Sequence, residues 1–331
     1  MEILVCPGCR TRTAERLDVR TLERSGDILT CTCGRHYPIV DGVPIVLGDP
    51  TSYLASEMTT VVERDLDPRV AALLVEHGTD DAPYARLLEH LSIYMDNQWG
   101  DRAAPPPDGP GAGIASAILA KLAERANHRV ELAVELGCSV GRIVGELARG
   151  ADHVVGVDLQ FGAVRRARKL LAGESVAYAR RVAGRHYTPA LATAGDLATD
   201  HITLVCGDAL DPPLIPGVYG RVVALNLLDS VRQPRQLLSV VDALCAPGGE
   251  LILASPYSWQ SSVVDEPLGA HDPAAALREI LTGGTGLSAT YTLEDEAELP
   301  WTLRRDARSA ATYCIHYIRA RKGNVGAGRY V

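Results

Sequence analysis

Apolar runs alternate with amphipathic segments through the second half of the chain. Five short apolar runs predict buried strands, and they lie at 130–136, 153–157, 201–206, 221–225 and 250–254. Apolar residues recur with helical spacing in three segments between them, at 143–148, 161–171 and 234–245. Strands that alternate with helices in this way predict an α/β fold, with a parallel sheet covered by helices on both faces.

The first of these strands leads into a turn with spaced glycines, in the segment VELGCSVGR at 134–142. Gly137 and Gly141 bracket the turn, and each glycine permits a positive φ and a close approach of a ligand to the backbone. The helix that follows presents unpaired N–H groups at its start. A strand-to-helix connection with no ligand has the same pattern, so the rest of the chain has to decide between the two.

This turn resembles the first motif of class I S-adenosylmethionine (SAM) methyltransferases, E/D-x-G-x-G/S-x-G, with Ser139 at the middle position. The resemblance implies a Rossmann-like sheet that holds SAM beyond the carboxyl ends of its strands. Asp158 is expected to bind the ribose hydroxyls, and Asp208 to meet the adenine amino group. The full set of expected cofactor residues is Glu135, Gly137, Cys138, Ser139, Gly141, Asp158, Leu159, Asp208, Ala209, Asn226 and Leu227.

Residues 1–50 form a separate unit with four of the eight cysteines in the chain. Cys6 and Cys9 make a C-x-x-C pair, and Cys31 and Cys33 make a tighter pair after a Gly26-Asp27 turn. Two such pairs supply the four ligands of a tetrahedral structural zinc site. The tight spacing leaves open that His36 replaces Cys31 or Cys33 as a ligand. The segment at 33–47 predicts a hairpin that turns at Asp41-Gly42.

The motifs CPGC at 6–9 and YPIVDGVPI at 37–45 resemble the small zinc-ribbon family that activates RNA and protein methyltransferases. Several members of that family lack some of the ligands, so a ribbon without metal is the alternative. Four protein ligands leave no open coordination position, and the expected role of the zinc is therefore structural.

Residues 51–113 connect this unit to the sheet. Apolar clusters at 70–75 and 87–95 predict helices, and 103–113 is a Pro/Gly loop. Helices that precede the sheet fold over the cofactor in many methyltransferases, so Tyr94 and Trp99 are expected to bind substrate. Ordinary packing of amphipathic helices is the alternative for both residues. The third unit is the methyltransferase domain, residues 114–331.

Composition narrows the function classes. The 331 residues carry a net charge of −8, and this acidic balance argues against a nucleic-acid partner, which normally meets a basic face. No apolar run reaches the roughly 20 residues of a membrane span. The N-terminus lacks the form of a signal peptide, and clustered cysteines in such a chain favour metal over disulfides. These features predict a cytoplasmic protein, with the oligomeric state left open.

Three C-terminal stretches resemble the methyltransferase domain of ovothiol biosynthesis, which methylates an imidazole nitrogen of a thiol-bearing histidine. They are NLLDSVRQPRQLL at 226–238, ASPYSWQ at 254–260 and ELPWTLRRDARSAATYCIHYIRARK at 298–322. The sulfoxide-synthase portion of that enzyme is absent, and the zinc ribbon is foreign to it. The resemblance implies a methyltransferase acting on a ring nitrogen of a histidine-derived small molecule or peptide.

An imidazole acceptor needs few catalytic groups, because its neutral form carries a free lone pair at pH 7. Asp229 is expected to accept the ring N–H and select the tautomer, with Tyr257 as the second catalytic candidate. Trp259 is placed over the ring, and Arg304 and Arg308 are expected to grip a substrate carboxylate. Loop stabilisation, lid packing and sheet-edge positions are the respective alternatives. His316 is expected to be a core or surface residue.

A basic segment at 165–185 favours either a solvated helix face with a loop or a surface for an anionic substrate. Two other functions compete with the imidazole methyltransferase. One is an RNA methyltransferase, because zinc ribbons precede this fold in some ribosomal RNA guanine methyltransferases. The other is a binding protein without activity, which the intact cofactor motifs argue against.

Overall fold

The computed structural model describes residues 3–12, 17–79, 83–109, 116–124, 127–269 and 271–323. The expected start of the third unit at Ile114 and the end of the Pro/Gly loop at 110–113 lie outside these residues. The helix expected at 114–127 is described over Ser116–Ala123.

The N-terminal half begins with the ribbon and continues with helices. Its strands are β1 Thr11–Arg12, β2 Leu17–Asp18, β3 Glu23–Ser25, β4 Ile28–Thr30, β5 His36–Val40 and β6 Val43–Pro44. The helices and the short strand that follow are α1 Pro50–Val62, α2 Pro68–His77, α3 Pro83–Trp99, β7 Ala103–Ala104 and α4 Ser116–Ala123. The expected hairpin is confirmed, because Val40 pairs with Val43 across a turn in which Asp41 and Gly42 both have positive φ.

The C-terminal half contains the sheet and its covering helices. Its first elements are β8 Val130–Leu136, α5 Arg142–Leu147, β9 Ala151–Asp158, α6 Phe161–Leu171, β10 Val176–Ala183, β11 His186–Ala192 and β12 Ile202–Cys206. They are followed by β13 Tyr219–Leu225, α7 Pro234–Leu244, β14 Cys245–Ser255, α8 Pro273–Gly283, β15 Tyr291–Asp306 and β16 Ser309–Lys322.

The main sheet has seven strands in the order β12-β9-β8-β13-β14-β16-β15. The first five run parallel, as the alternation of strands and helices predicts, and the Rossmann-like fold is confirmed. The last two form a long antiparallel hairpin that makes the sheet mixed, and sequence reasoning did not predict it. Apolar side chains pack on both faces; in β8, Ala133 joins one core and Val134 the other.

Three helices begin with the same dipeptide, and its chemistry explains their start points. Asp49-Pro50, Asp67-Pro68 and Asp272-Pro273 open α1, α2 and α8. In each, the aspartate accepts a hydrogen bond from a backbone N–H of the first turn, while proline supplies a preset φ at the first helical position.

The ribbon extends the edge of the main sheet. Ile45 forms a parallel bridge with Cys206 in β12, and the Val46 N–H donates to the Cys206 carbonyl at 2.9 Å. A second contact joins the Val5 N–H to the Pro213 carbonyl at 2.9 Å. Ile45 and Val46 are fully buried, so the ribbon shares its core with the sheet.

Helices α1–α3 and the hairpin β10–β11, together called the cap, dock through buried charges. Asp65, between α1 and α2, meets Arg165, Arg166 and Lys169 of α6 at 3.2, 2.7 and 2.8 Å. These cations belong to the basic segment, which also contributes Arg180 of β10. Arg165, Arg166 and Arg180 are buried against carboxylates, so this part of the segment is neither a solvated face nor an open anion surface, whereas Arg185 is exposed.

Candidate functional site

The glycine turn is held in a conformation that few residues adopt. Gly137, Ser139 and Gly141 have φ values of 77°, 48° and 83°. A Cβ on Gly141 would lie 2.7 Å from the Cβ of Ala167 in α6, so the turn fits closely against that helix. A Cβ on Gly137 would lie 3.0 Å from Leu227, which brings the loop after β13 against the turn.

Acidic residues stand at the ends of the strands on either side of this turn. Asp158 accepts hydrogen bonds from the backbone N–H groups of Ser139 and Gln160, both at 2.8 Å. Burial raises the pKa of Asp158, although the hydrogen bonds from these donors act to lower it. Glu135 is 3 % exposed, and burial together with the charge of Asp158 raises its pKa well above the ordinary value. Its Oε2 has no hydrogen-bond partner among the residues that the structure describes.

Asn226, just after β13, also has polar atoms without partners. Its φ is 52°, and both its Oδ1 and its Nδ2 are buried without a hydrogen bond to any described part of the chain. Buried polar groups in proteins are nearly always paired, so an orphaned amide at the carboxyl edge of a sheet marks a position where a ligand would complete the bonding.

The remaining expected cofactor residues lie in the loops that follow β8, β9 and β12. Cys138 is 1 % exposed, and burial raises the pKa of its thiol. Leu159 is exposed, and its carbonyl accepts the Tyr53 hydroxyl at 2.9 Å. Asp208 accepts the Leu210 N–H at 2.8 Å, and Ala209 beside it is buried.

Asp229 is buried behind Asn226 and binds the loop that follows β14. Its Oδ1 accepts the Ser255 hydroxyl at 3.2 Å, and its Oδ2 accepts the Ser258 N–H at 3.0 Å. Burial raises its pKa, while these donors oppose the change. The contacts are those of a loop-stabilising residue, and the carboxylate lies at the edge where the cofactor residues converge.

Helix α3 places a polar face over this edge. The rings of His90 and Tyr94 stack with centroids 4.4 Å apart, and Gln98 accepts the Arg142 N–H at 3.0 Å. Burial is the main cause that raises the pKa of Tyr94. The charges of Asp158, Tyr313 and Asp229 raise it further. Tyr94 therefore lies within electrostatic reach of both aspartates. The spacing of four residues between His90, Tyr94 and Gln98 was the signal that sequence reasoning missed.

Trp99 packs in the core rather than facing this space. It is fully buried, and its indole N–H donates to the Val140 carbonyl at 2.8 Å. The Arg142 guanidinium lies over the ring at 5.4 Å from its centroid. Trp99 ties α3 to the glycine turn and offers no surface to a substrate.

The two expected carboxylate-binding arginines are also elsewhere. Arg304 is 1 % exposed, and its guanidinium meets Asp96 at 3.0 Å and the Asp108 backbone carbonyl at 2.8 Å. Arg308 is exposed at the tip of the β15–β16 hairpin, where its N–H donates to Asp306 at 2.8 Å. The pair of Arg304 with Asp96 holds the hairpin to α3. Among the described contacts, neither arginine meets Asp229.

Tyr257 has a positive φ of 52° in the loop after β14. Its hydroxyl lies 2.7 Å from Nδ1 of His316, and Trp259 lies beside it with ring centroids 5.8 Å apart. Burial raises the pKa of Tyr257. His316 is 4 % exposed, and its second nitrogen contacts Glu296, an arrangement that the sequence did not predict.

A second site lies in the ribbon. The Sγ atoms of Cys6, Cys9, Cys31 and Cys33 lie within 4.8 Å of one another, with Cys6–Cys33 at 3.9 Å and Cys9–Cys31 at 3.7 Å. A tetrahedron with metal–sulfur bonds of about 2.3 Å has sulfur–sulfur edges of about 3.8 Å. The donor set therefore fits zinc. His36 bonds Thr30 at 3.2 Å instead of joining the cluster.

Comparison with known proteins bears on the sheet and its turn. Residues 134–253 match the family model described as "Methyltransferase domain". The chain carries a methyltransferase domain. The matched residues run from the glycine turn to near the end of β14, and they include every expected cofactor residue. No curated protein matches the chain.

Solved structures with a similar arrangement are distant in sequence. The N-methyltransferase NodS from Bradyrhizobium japonicum WM9, with S-adenosyl-l-homocysteine, is 16 % identical at a TM-score of 0.44, over 71 % of this chain and 98 % of its own. The magnesium protoporphyrin IX methyltransferase from Synechocystis PCC 6803, with SAM, is 16 % identical at 0.43, over 79 % and 100 %. A 16S rRNA adenine methyltransferase from Catenulisporales acidiphilia is 17 % identical at 0.39, over 62 % and 92 %.

Among the described residues, no helix combines the length and the apolar character that crossing a membrane requires.

Proposed function

We propose that this methyltransferase uses SAM to methylate a ring nitrogen of an imidazole-like group, in a histidine-derived small molecule or peptide. The observation that carries the cofactor is the orphaned amide of Asn226 beside the glycine turn, with the unpartnered Oε2 of Glu135 nearby in the fold. SAM supplies hydroxyl, ammonium and amino groups of the kind that such buried acceptors lack.

The residues present fit the cofactor at three strand ends. Asp158 would bind the ribose hydroxyls, because each of its carboxylate oxygens accepts one backbone N–H and keeps further acceptor capacity. Asp208 would meet the adenine amino group from the loop after β12. When bound, SAM supplies a methyl group on a positively charged sulfur, already activated for transfer.

The groups beside Asp229 support an aromatic nitrogen acceptor. Tyr94 lies within electrostatic reach of Asp229, and Tyr257 and Trp259 follow the strand next to it. Aromatic faces and a carboxylate suit a flat ring that is neutral or becomes cationic on methylation. The chain's role is then to orient the ring and exclude water. The proposal does not include an arginine that binds a carboxylate of the substrate, since Arg304 is paired with Asp96.

The cofactor proposal is tested by calorimetry with SAM and with its demethylated product. Asn226→Ala and Asp158→Ala are expected to weaken binding at least tenfold, because each removes a group that faces the ligand. Asp152→Ala is the matched control, since it removes an exposed carboxylate paired with Arg129 at the other end of β9. Undiminished affinity in both site variants would refute the cofactor assignment.

The acceptor is tested with labelled SAM and a panel of L-histidine, a thiol-bearing histidine, a histidine-containing peptide and total RNA. Label is expected in an imidazole compound. Asp229→Asn is expected to lower kcat at least tenfold with little change in SAM affinity, because it disturbs the acceptor and not the cofactor. Label found only in RNA would replace this proposal with an RNA methyltransferase.

The ribbon is proposed to hold one structural zinc through Cys6, Cys9, Cys31 and Cys33. Its four sulfur ligands would leave no position for a substrate, so the metal is assigned to folding rather than to methyl transfer.

A further inference from the structure

Three side chains form a continuous hydrogen-bonded chain from the carboxyl edge of the sheet to its surface. The Tyr257 hydroxyl lies 2.7 Å from Nδ1 of His316, and Nε2 of His316 lies 2.7 Å from Oε1 of Glu296. His316 is 4 % exposed, whereas the Glu296 side chain is 36 % exposed. The Tyr257–His316–Glu296 chain therefore connects a half-buried hydroxyl with solvent through a buried imidazole.

The chemistry of the three groups fixes where the protons lie. An ionised carboxylate can only accept, so Nε2 of His316 donates to Glu296. In a neutral ring Nδ1 is then the acceptor, and it receives the Tyr257 O–H. Burial opposes ionisation of Glu296, but hydrogen bonds from His316 and Arg278 hold its pKa below the ordinary value. The chain is thus arranged to pass a proton outward.

The backbone of Tyr257 is tied to Asp229 through Ser255. The Tyr257 N–H donates to Ser255 Oγ at 3.0 Å, and the Ser255 hydroxyl donates to Asp229. Tyr257 also holds a left-handed φ of 52°, which a residue with a side chain keeps only when its surroundings enforce it. Such strain is typical of residues whose side chains are held in a fixed orientation at a functional site.

We propose that the Tyr257–His316–Glu296 chain removes the proton released by methyl transfer, with His316 and Glu296 acting through Tyr257. This inference rests on the proposed N-methylation. In that reaction the lone pair of the acceptor nitrogen forms the new N–C bond, and the C–S bond breaks with its electrons on sulfur. The ring N–H proton passes to the Tyr257 oxygen as Tyr257 gives its own proton to Nδ1 of His316. Tyr257 takes the place first expected for Asp229, whose two oxygens accept from Ser255 and Ser258. The Nε2 proton moves to Glu296 and then to water.

The competing explanation is structural, since the same bonds tie the loop after β14 to the β15–β16 hairpin. Glu298 provides the matched control. It lies two residues from Glu296 on β15, opposite His316 in register, but its carboxylate accepts from Cys314 and not from His316. Glu298→Gln removes an equal charge from a neighbouring position, where Glu298 also raises the pKa of Tyr257, and it leaves the chain of hydrogen bonds intact.

The first measurement is the tautomer of His316 by ¹⁵N NMR, in full-length protein saturated with S-adenosylhomocysteine at pH 7.5. His316→Gln assigns the resonance among the nine histidines. The groups that face His316 are Tyr257, Glu296 and Glu298, and Arg278 and Asp272 of the α8 end lie near Tyr257. A neutral ring protonated at Nε2 is expected, and Glu296→Gln should give a mixture of tautomers. A ring protonated at Nδ1 would overturn the proposal.

The second measurement is turnover of the accepted imidazole compound. Glu296→Gln and Tyr257→Phe are expected to lower kcat at least tenfold with SAM affinity within twofold, and Glu298→Gln should leave both unchanged. Equal losses in Glu296→Gln and Glu298→Gln, or no loss in Tyr257→Phe, would show a structural role. The NMR measurement needs no acceptor, so a failure to methylate any imidazole counts against the proposed function and not against the proton arrangement.

Discussion

The ribbon and the cap both pack against the main sheet, but different kinds of interaction attach them to it. The ribbon joins through backbone hydrogen bonds and apolar side chains such as Ile45 and Val46, which are fully buried. The cap joins through carboxylates, Asp65 and Asp96, that meet buried arginines of α6 and β15. Each attachment therefore has its own weakness: the ribbon depends on its internal fold, and the cap on charge.

Metal removal is expected to have the largest effect. The ribbon's small core includes Cys6 and Cys31, and Cys9 packs against it, so loss of the metal should unfold the ribbon, because binding free energy is folding free energy in such sites. SAM affinity should then fall at least tenfold. The affinity should fall because the ribbon contacts the cofactor edge at two points. The Val46 N–H is hydrogen-bonded to the end of β12, and Arg10 pairs with Asp211 in the loop that contains Asp208.

The measurement compares Cys9→Ser with Cys314→Ser, which alters an exposed cysteine outside the cluster. Metal analysis should give one zinc per chain in the parent and the control, and calorimetry reports the affinity. Full SAM affinity in metal-free protein would mean that the ribbon and the cofactor edge are independent.

Asp96→Ala should have the next largest effect, and it acts on the cap. Asp96 is 2 % exposed and pairs with Arg180 at 2.7 Å and Arg304 at 3.0 Å. Its loss leaves the buried Arg180 without its carboxylate and Arg304 with only the exposed Asp108, which costs about 3–5 kcal/mol of the free energy of unfolding. Urea unfolding measures this, with Asp152→Ala, an exposed pair worth about 1 kcal/mol or less, as the control. Equal losses in the two variants would contradict the importance of burial.

Asp65→Asn should have a smaller effect that depends on pH. Burial raises the pKa of Asp65, but Arg166, Lys169 and Arg165 outweigh it and hold the pKa below 3.8. The stabilisation is therefore present above pH 3.8 and is lost as the pH falls through the folded-state pKa. We expect a deficit of about 1–2 kcal/mol at pH 7 that shrinks below pH 3.8. Unfolding midpoints between pH 3 and 7 test this, and a constant deficit would refute the ionic attachment.

Local chemistry made part of this fold predictable. The helix at 161–171 is observed with the expected bounds, because its pattern of apolar positions matches one buried face. The turn at Asp41-Gly42 and the spaced glycines at 137 and 141 adopt positive φ, as their residue types require. Each of these features depends on neighbours within a few residues, and such signals are visible in a single sequence.

Pairing between distant residues was not predictable in the same way. Arg304 looked available for a substrate carboxylate, but it is paired with Asp96, 208 positions earlier. His316 looked unremarkable because its partners, Tyr257 and Glu296, lie 59 and 20 positions away. The sequence does not indicate which distant residue will pair with a given charged side chain or imidazole in the folded protein.

The bridge between Ile45 and Cys206 has a consequence for how the protein avoids aggregation. An open strand at the edge of a sheet can pair with a strand of another molecule. The ribbon covers part of one such edge, at β12, with its own backbone. The opposite edge, β15, carries Glu294, Glu296 and Glu298 followed by Pro300, and charge and proline disfavour pairing there. The backbone of the ribbon thus shields part of one border of the sheet, and charged side chains and a proline protect the other.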